Sequence, residues 1–441
     1  MKTLPNAVGA LAALLLGGCA HYGALPLAPA APLAPRIDAL ASAPAPGTPL
    51  SIAQVVGLAL ANNPDLQAAR RNRAVAAGRT RQAGILPNPA LTGAFLPLLS
   101  GPGTVPAWNI GIGQDIKALV TYRSKRRAAA DGEQQVAAEI VWQEWQVAGQ
   151  ARQIAADLIV GARTRPSYAA AYRLLADRNA KLEQALAARN TTLVIVAPDR
   201  IALQAARTAL DAFDQKQLAS MHQLDALLGL APDVVVPLAA KPDLPPFDPA
   251  AIRAGLGALP SRRPDLIALQ MGYAAADEQV RQAILSQFPD LVLGGSATSD
   301  SSKVVNGGPG ATLGLPLFDR NRSNIAIAEA TRAQLHADYA ARLATATGTV
   351  GAMLREMEQL SAQLAAQRRD LPAARLAAAR AQTAFGQSNI DERSYIDLVS
   401  NRFTKEQDIM TLELALLDRR IALQTLVGDG LPTVDLPVAP R

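Results

Sequence analysis

Cysteine is nearly absent: there is one in 441 residues, at position 19. A single thiol excludes a disulfide framework within the chain, so packing must hold the fold. Histidine is scarce as well. His21 lies in the linker after the cysteine, and His222 and His336 stand alone on helical tracts, with no His or Cys at metal-ligand spacing. Six scattered methionines make no soft-metal site. Aromatic residues reach only 4%. Large compact cores use more aromatic bulk, whereas an alanine-rich chain suits close helix–helix contact. Catalytic motifs are missing too. Gly111-Ile112-Gly113 lies in a strand-like segment and not before a helix, so it is no dinucleotide fingerprint. NGGPGATLG at 306–314 lacks the Lys-Ser/Thr of a phosphate-binding loop and reads as a hairpin turn. No enzyme, cofactor or metal is expected.

The N-terminus explains the lone thiol. Lys2 supplies a positive start, Ala7 to Leu16 form a short apolar run, and small residues follow. The run is shorter than the roughly 20 residues of a spanning helix. Leu16-Gly17-Gly18-Cys19 resembles a bacterial lipobox, in which residues 1–18 are a signal peptide and the cysteine is acylated. Ala20, in place of an aspartate, resembles sorting to the outer membrane. Residues 19–49 then form a lipidated, Ala/Pro-rich tether of extended character. Net charge is +6, and a basic balance suits anionic partners. Export argues against nucleic acid. Arg70, Arg71, Arg73, Arg79 and Arg81 recur along one predicted helix. They read as a solvated face, with lipid headgroups or peptidoglycan as the alternative contact.

The body repeats itself. NPDLQAARRNRAVAAGRTRQAGILPNPALTGAF at 63–95 aligns without a gap with RPDLIALQMGYAAADEQVRQAILSQFPDLVLGG at 263–295. Pro64/Pro264, Asp65/Asp265, Leu66/Leu266, Arg81-Gln82-Ala83/Arg281-Gln282-Ala283 and Pro89/Pro289 match. LDALLG at 224–229 faces LQTLVG at 423–428. The chain divides into repeats at 50–230 and 262–429, a Pro-rich linker at 231–261 and a Pro-rich tail at 430–441. Each repeat runs in one order. A first helix (51–84, or about 262–287) precedes a β-hairpin (about 90–115, or 290–317). A long helical tract follows (117–229, or 319–427). Ile140, Val147, Ile154 and Leu158 make a coiled-coil-like seam. Pro166 and Pro372 should each break or kink their tract. Residues 188–199 and 385–394 read as tips of helical hairpins.

Period-two alternation marks the strands. In WNIGIGQD (108–115), Trp108, Ile110 and Ile112 share a face opposite Asn109, Gly111 and Gly113. ATLGLPL (311–317) alternates likewise, which puts Pro316 at an edge or a strand end. ALTGAFLPL (90–98) and DLVLGGSAT (290–298) supply their partners. The apolar face meets either a soluble core or lipid. A sheet in lipid must close, and four strands fall short of the roughly 8 that closed barrels need. Membrane strands would therefore require several chains to share one barrel. Otherwise the hairpins are small soluble sheets on a periplasmic coiled-coil adaptor or spacer lipoprotein, although adaptors carry more strand than this chain offers.

PLFDRNRSNIAIAEA (316–330), ILPNPAL (85–91) and RRPDLIALQ (262–270), with the duplicated halves and lipobox, resemble the TolC family of outer-membrane efflux proteins over about residues 50–429. The resemblance implies a mainly α fold with a small β part. In it, long antiparallel helical hairpins form a periplasmic α-barrel, and four strands per chain enter a shared twelve-stranded barrel of a homotrimer. It implies a passive exit duct in the outer membrane, served by a periplasmic adaptor and an inner-membrane pump and bathed in outer-membrane lipid. The adaptor-docking tips would contain Asn190 and Thr191 in one repeat and Gly386 and Ser388 in the other. The first tip lacks the usual glycine, so unequal docking is expected. Asp391, Glu392 and Asp397 near the second tip become rings of three in a trimer and suit a cation-attracting pore entrance. A plain acidic helix N-terminus is the competing reading.

Overall fold

A computed structural model describes residues 22–45, 47–232 and 234–435. Cys19 and the signal segment lie outside the described residues. Seven helices and four strands carry the architecture: α1 Ile52–Asn62, α2 Pro64–Ala83, β1 Ala90–Leu96, β2 Ala107–Asp115, α3 Ile116–Ala187, α4 Leu193–Leu228, α5 Pro264–Leu285, β3 Asp290–Ser299, β4 Val305–Gly314, α6 Arg322–Gly386 and α7 Glu392–Val427. Short helical turns at 37–39 and 249–262 complete it.

Local chemistry sets the helix starts. Ser51 and Gln54 form a reciprocal capping box on α1. Asn63 accepts from the Leu66 amide at 2.9 Å and Pro64 takes the first helical position of α2. The expected single helix over 51–84 is thus two, because Asn63 stops one helix and caps the next. Asp115 caps α3 through the Ala118 amide at 3.0 Å. α3 has 72 residues and α6 has 65, about 108 and 98 Å at about 1.5 Å per residue.

Neither internal proline ends its helix: α3 continues through Pro166 and α6 through Pro372. Each proline removes one backbone hydrogen bond, while lateral packing along a very long helix keeps the others. The first hairpin tip is also tighter than expected, since α4 begins at Leu193 and absorbs the apolar stretch into its first turns.

The four strands form one antiparallel sheet in the order β1-β2-β3-β4. Both repeats thus contribute to a single sheet, with β2 and β3 joined across them by pairs such as Ile110↔Ala297. The helices continue that order below the sheet. α2 and α5 both pack on α3, and α6 packs on α5. Farther down, α4 and α7 pack on α3, and α7 packs on α6. The fourth strand lies upstream of its expected place. NGGPGATLG is strand, the turn falls at 300–304, and Pro316 lies beyond the strand end. Asp300 makes that turn by accepting from the Ser302 and Val304 amides at 2.8 and 3.0 Å. Pro309 sits within β4, an edge strand of the single chain's sheet.

The main core joins α1, α3, the end of α4 and the inter-repeat linker. On α3 the fully buried stripe is Trp145, Ala148, Ala151, Ala155 and Ala156. The heptad residues Val147 and Ile154 pack at its margin. Alanine lets neighbouring helices approach closely, so small side chains rather than the β-branched seam hold the centre. The Pro-rich N-terminal strap bonds alongside the linker at Ala34↔Leu230 and Leu50↔Leu238, and Leu50 is fully buried.

Candidate functional site

The sheet has two chemically different faces. Directly opposed residues share a face in an antiparallel pair. Leu91↔Ile112, Phe95↔Trp108, Leu291↔Leu313 and Ser299↔Val305 therefore lie on one side with Ile110, Leu293 and Pro309. The other side carries Thr92, Asn109, Gly111, Gly113, Ser296, Thr298, Asn306, Gly308 and Thr312. The apolar face is uncovered: Leu91 is 70% exposed, Phe95 69% and Ile112 57%. Among the described residues no helix is long and apolar enough to cross a membrane.

At the far end, the two helical hairpins close with the same backbone device. Arg189 and Ser388 both take left-handed conformations, with φ of 61° and 59°. The next amides, Asn190 and Asn389, donate to Ala185 and Ala384 carbonyls, each at 2.8 Å. Asn190 and Thr191 lie in the first turn, Ser388 in the second. Gly386 is the last residue of α6 and is not the one with positive φ. The glycine that distinguishes the tips in sequence therefore does not distinguish their backbone path.

Asp391 caps α7. Its carboxylate accepts from the Ser394 amide at 2.7 Å and the Ser394 hydroxyl at 2.9 Å, and these bonds hold its pKa below the usual range. Glu392 follows it, half-buried, while Asp397 is exposed farther up the helix. Five residues at 3.6 per turn put Asp397 about 140° round from Glu392. Asp391 and Glu392 are neighbours; Asp397 stands apart within one chain.

Two groupings escaped the sequence reading. Near the tips, buried Arg178 of α3 pairs with Asp199 of α4 at 2.9 Å and donates to the Glu392 carbonyl of α7 at 2.5 Å. One guanidinium thereby joins both hairpins. Midway along the bundle, Asp157 of α3 faces Asp418 of α7 within hydrogen-bond reach, and the Gln153 amide donates to both. Burial first, and then the Asp418 charge, push Asp157 up to about 6, and burial raises Asp418 too. Lys216 of α4 offsets part of this. The visible signal was a lone carboxylate in an apolar run, IAADLIV at 154–160. Nothing local flagged Arg178, one of several charges in its stretch.

Residues 256–429 match the family model of the outer membrane efflux proteins. That stretch resembles the family. It holds α5, β3, β4, α6 and α7. The probable outer membrane lipoprotein SilC of Salmonella typhimurium is 26% identical over 179 residues, which are 38% of this chain and 39% of that protein. The fold extends further than the matched stretch. The crystal structures of CusC superpose with a TM-score of 0.68 at 18% identity, covering 92% of this chain and 98% of that one. VceC, the outer membrane protein of Vibrio cholerae, gives 0.70 at 19% identity, covering 86% and 96%. The open-state MtrE channel of Neisseria gonorrhoeae gives 0.68 at 17% identity, covering 86% and 89%. Over 86–92% of its length the chain therefore has the fold of these solved channels.

Proposed function

We propose that the protein is the outer-membrane exit duct of a tripartite efflux system and works as a homotrimer. The two-faced sheet carries this reading. Its apolar side suits lipid and its small polar side suits a water-filled lumen. Its edge strands β1 and β4 are both open, and open edges are not tolerated in hydrocarbon. Three copies of the four-stranded sheet close the edges on each other and give twelve strands. Strands of 7 to 10 residues reach about 24 to 34 Å at about 3.4 Å per residue, and the longest still rise about 25 Å when tilted by about 40°, the height of the apolar band of an outer-membrane barrel.

In this reading the long helices form a periplasmic tunnel. A periplasmic adaptor docks at the tips, through Asn190 and Thr191 in one repeat and Gly386 and Ser388 in the other. An inner-membrane pump supplies the substrate, and the duct itself is passive. Acylated Cys19 is an accessory anchor in the outer membrane. Asp391, Glu392 and Asp397, repeated three times around the entrance, bias it toward cations.

Single-channel recording in planar bilayers, with the oligomeric mass of the same sample, tests the proposal. The expected result is a trimer with small, cation-biased openings, and a reversal potential that moves toward neutrality in Asp391→Asn and Asp397→Asn. A monomer without conductance would overturn the duct. It would leave a lipid-anchored periplasmic spacer. A conducting trimer whose selectivity is untouched by either substitution would remove the acidic ring alone.

A further inference from the structure

Just below the sheet, the helix ends carry a surplus of unpaired cations. Arg79 and Arg81 end α2, Arg123 and Arg126 lie in the first turns of α3, and Arg320 and Arg322 flank the start of α6. All six are exposed, and none is in an ion pair among the described residues. Their neighbours Lys117 and Arg127 are paired, with Asp290 and Glu278. The nearby carboxylates are occupied in turn. Asp290 holds Lys117, Asp115 caps α3, and Asp319 accepts from the Asn321 amide.

Each cationic pair adjoins an exposed apolar pair on its sheet side. Ile85 and Leu86 separate Arg79 and Arg81 from β1. Leu119 and Val120 separate Arg123 and Arg126 from β2. Leu317 and Phe318 separate Arg320 and Arg322 from β4. On α3, Leu119, Arg123 and Arg126 stand at i, i+4 and i+7, so they share one face. That face is apolar beside the sheet and cationic about 6 to 10 Å farther on, at about 1.5 Å per residue. A water-filled lumen gives no reason for exposed apolar side chains at three helix ends. A lipid interface does: acyl chains meet the apolar pairs, and phosphates meet guanidinium groups one or two turns below. Guanidinium binds phosphate through paired, charge-assisted hydrogen bonds.

We propose that these three helix ends form a belt that binds anionic phospholipid headgroups in the leaflet facing the periplasm. The inference rests on the membrane-duct reading and goes beyond it, because a barrel needs only hydrocarbon. The full-length protein, reconstituted in vesicles of phosphatidylcholine with and without phosphatidylglycerol, is the sample to test. Native mass spectrometry after gentle extraction reads the lipids retained, and conductance is recorded on the same preparation.

The wild type should retain phosphatidylglycerol over phosphatidylcholine on the order of tenfold. Salt near 1 M, where the Debye length is about 3 Å, should erase the preference. The combined variant R79Q/R123Q/R126Q/R322Q should lose the preference yet keep trimer mass and conductance. Equal retention of both lipids by the wild type, or an unchanged preference in the variant, overturns the belt and leaves the duct standing. Competition by inorganic phosphate would assign the arginines to free anions, and loss of trimer mass would assign them to subunit contact; either result overturns the proposal. Failure of the wild type to insert in either bilayer overturns belt and duct together.

Discussion

Gly229 and Gly428 end α4 and α7 at corresponding places in the two repeats, both left-handed, with φ of 71° and 76°. Their surroundings differ. A Cβ at Gly428 would lie 2.1 Å from the Trp145 ring, whereas one at Gly229 would lie 3.3 Å from the Asn62 carbonyl oxygen. Gly428→Ala should therefore cost about 2–4 kcal/mol, strain plus overpacking of the core. Gly229→Ala should cost about 1 kcal/mol, mostly strain. Chemical unfolding of both variants checks the difference. The repeated LDALLG and LQTLVG stretches made both glycines visible in sequence, but only packing shows that Trp145 fills the space beside one of them.

The Asp157–Asp418 pair gives the fold a pH dependence with a definite sign. Asp157 titrates near 6 when folded and near 4 when unfolded. The folded state therefore holds more protons between those values, and stability falls as pH rises through that window. Asp157→Asn removes the charge that burial disfavours. The variant should be more stable than the wild type at pH 7 and should show a flatter profile between about pH 4 and 6. Urea midpoints of both proteins at the two ends of the window test this. A steeper profile in the variant would contradict it.

Among elements, the α3–α4 and α6–α7 hairpins are held together near their tips by Arg178. Removing one partner of a buried ion pair leaves an unpaired charge, at about 3–5 kcal/mol. Arg178→Ala should loosen the two tips locally and leave the core around Trp145 intact. Hydrogen exchange should speed up over 189–199 and 387–394 and stay unchanged over 145–159. The hairpins themselves were legible as long periodic tracts with polar interruptions. Their joint was not, because Arg178 lies 21 residues from Asp199 and 214 from Glu392, beyond any local pattern. The two prolines misled for a related reason. A proline rule describes an isolated helix, and α3 and α6 are supported by neighbours along their lengths.

For the whole molecule, the decisive property is the difference between the sheet's faces. If the sheet lines a barrel as proposed, Ile110→Arg would put a charge on the lipid side, at about 2–4 kcal/mol near mid-bilayer. Asn109→Arg would put it on the lumen side, where water solvates it. The first should reduce the yield of membrane-inserted trimer several-fold. The second should insert normally and lower cation conductance. Equal insertion of the two variants would contradict the assignment of faces.

The sequence by itself determined the local character of nearly every part. Alternation of large and small residues marked the strands, long periodic tracts marked the helices, and the offset of 200 marked the duplication. These signals are local because backbone periods of two and 3.6 residues are imposed within a few positions. Tertiary structure alone decided that both hairpins share one sheet and that β4 begins at Val305 rather than Ala311. It also decided that Arg178 and the Asp157–Asp418 pair sit between helices. In each case the partner lies far along the chain or competes with an equally good local choice, and only assembled packing and hydrogen bonding separate the two.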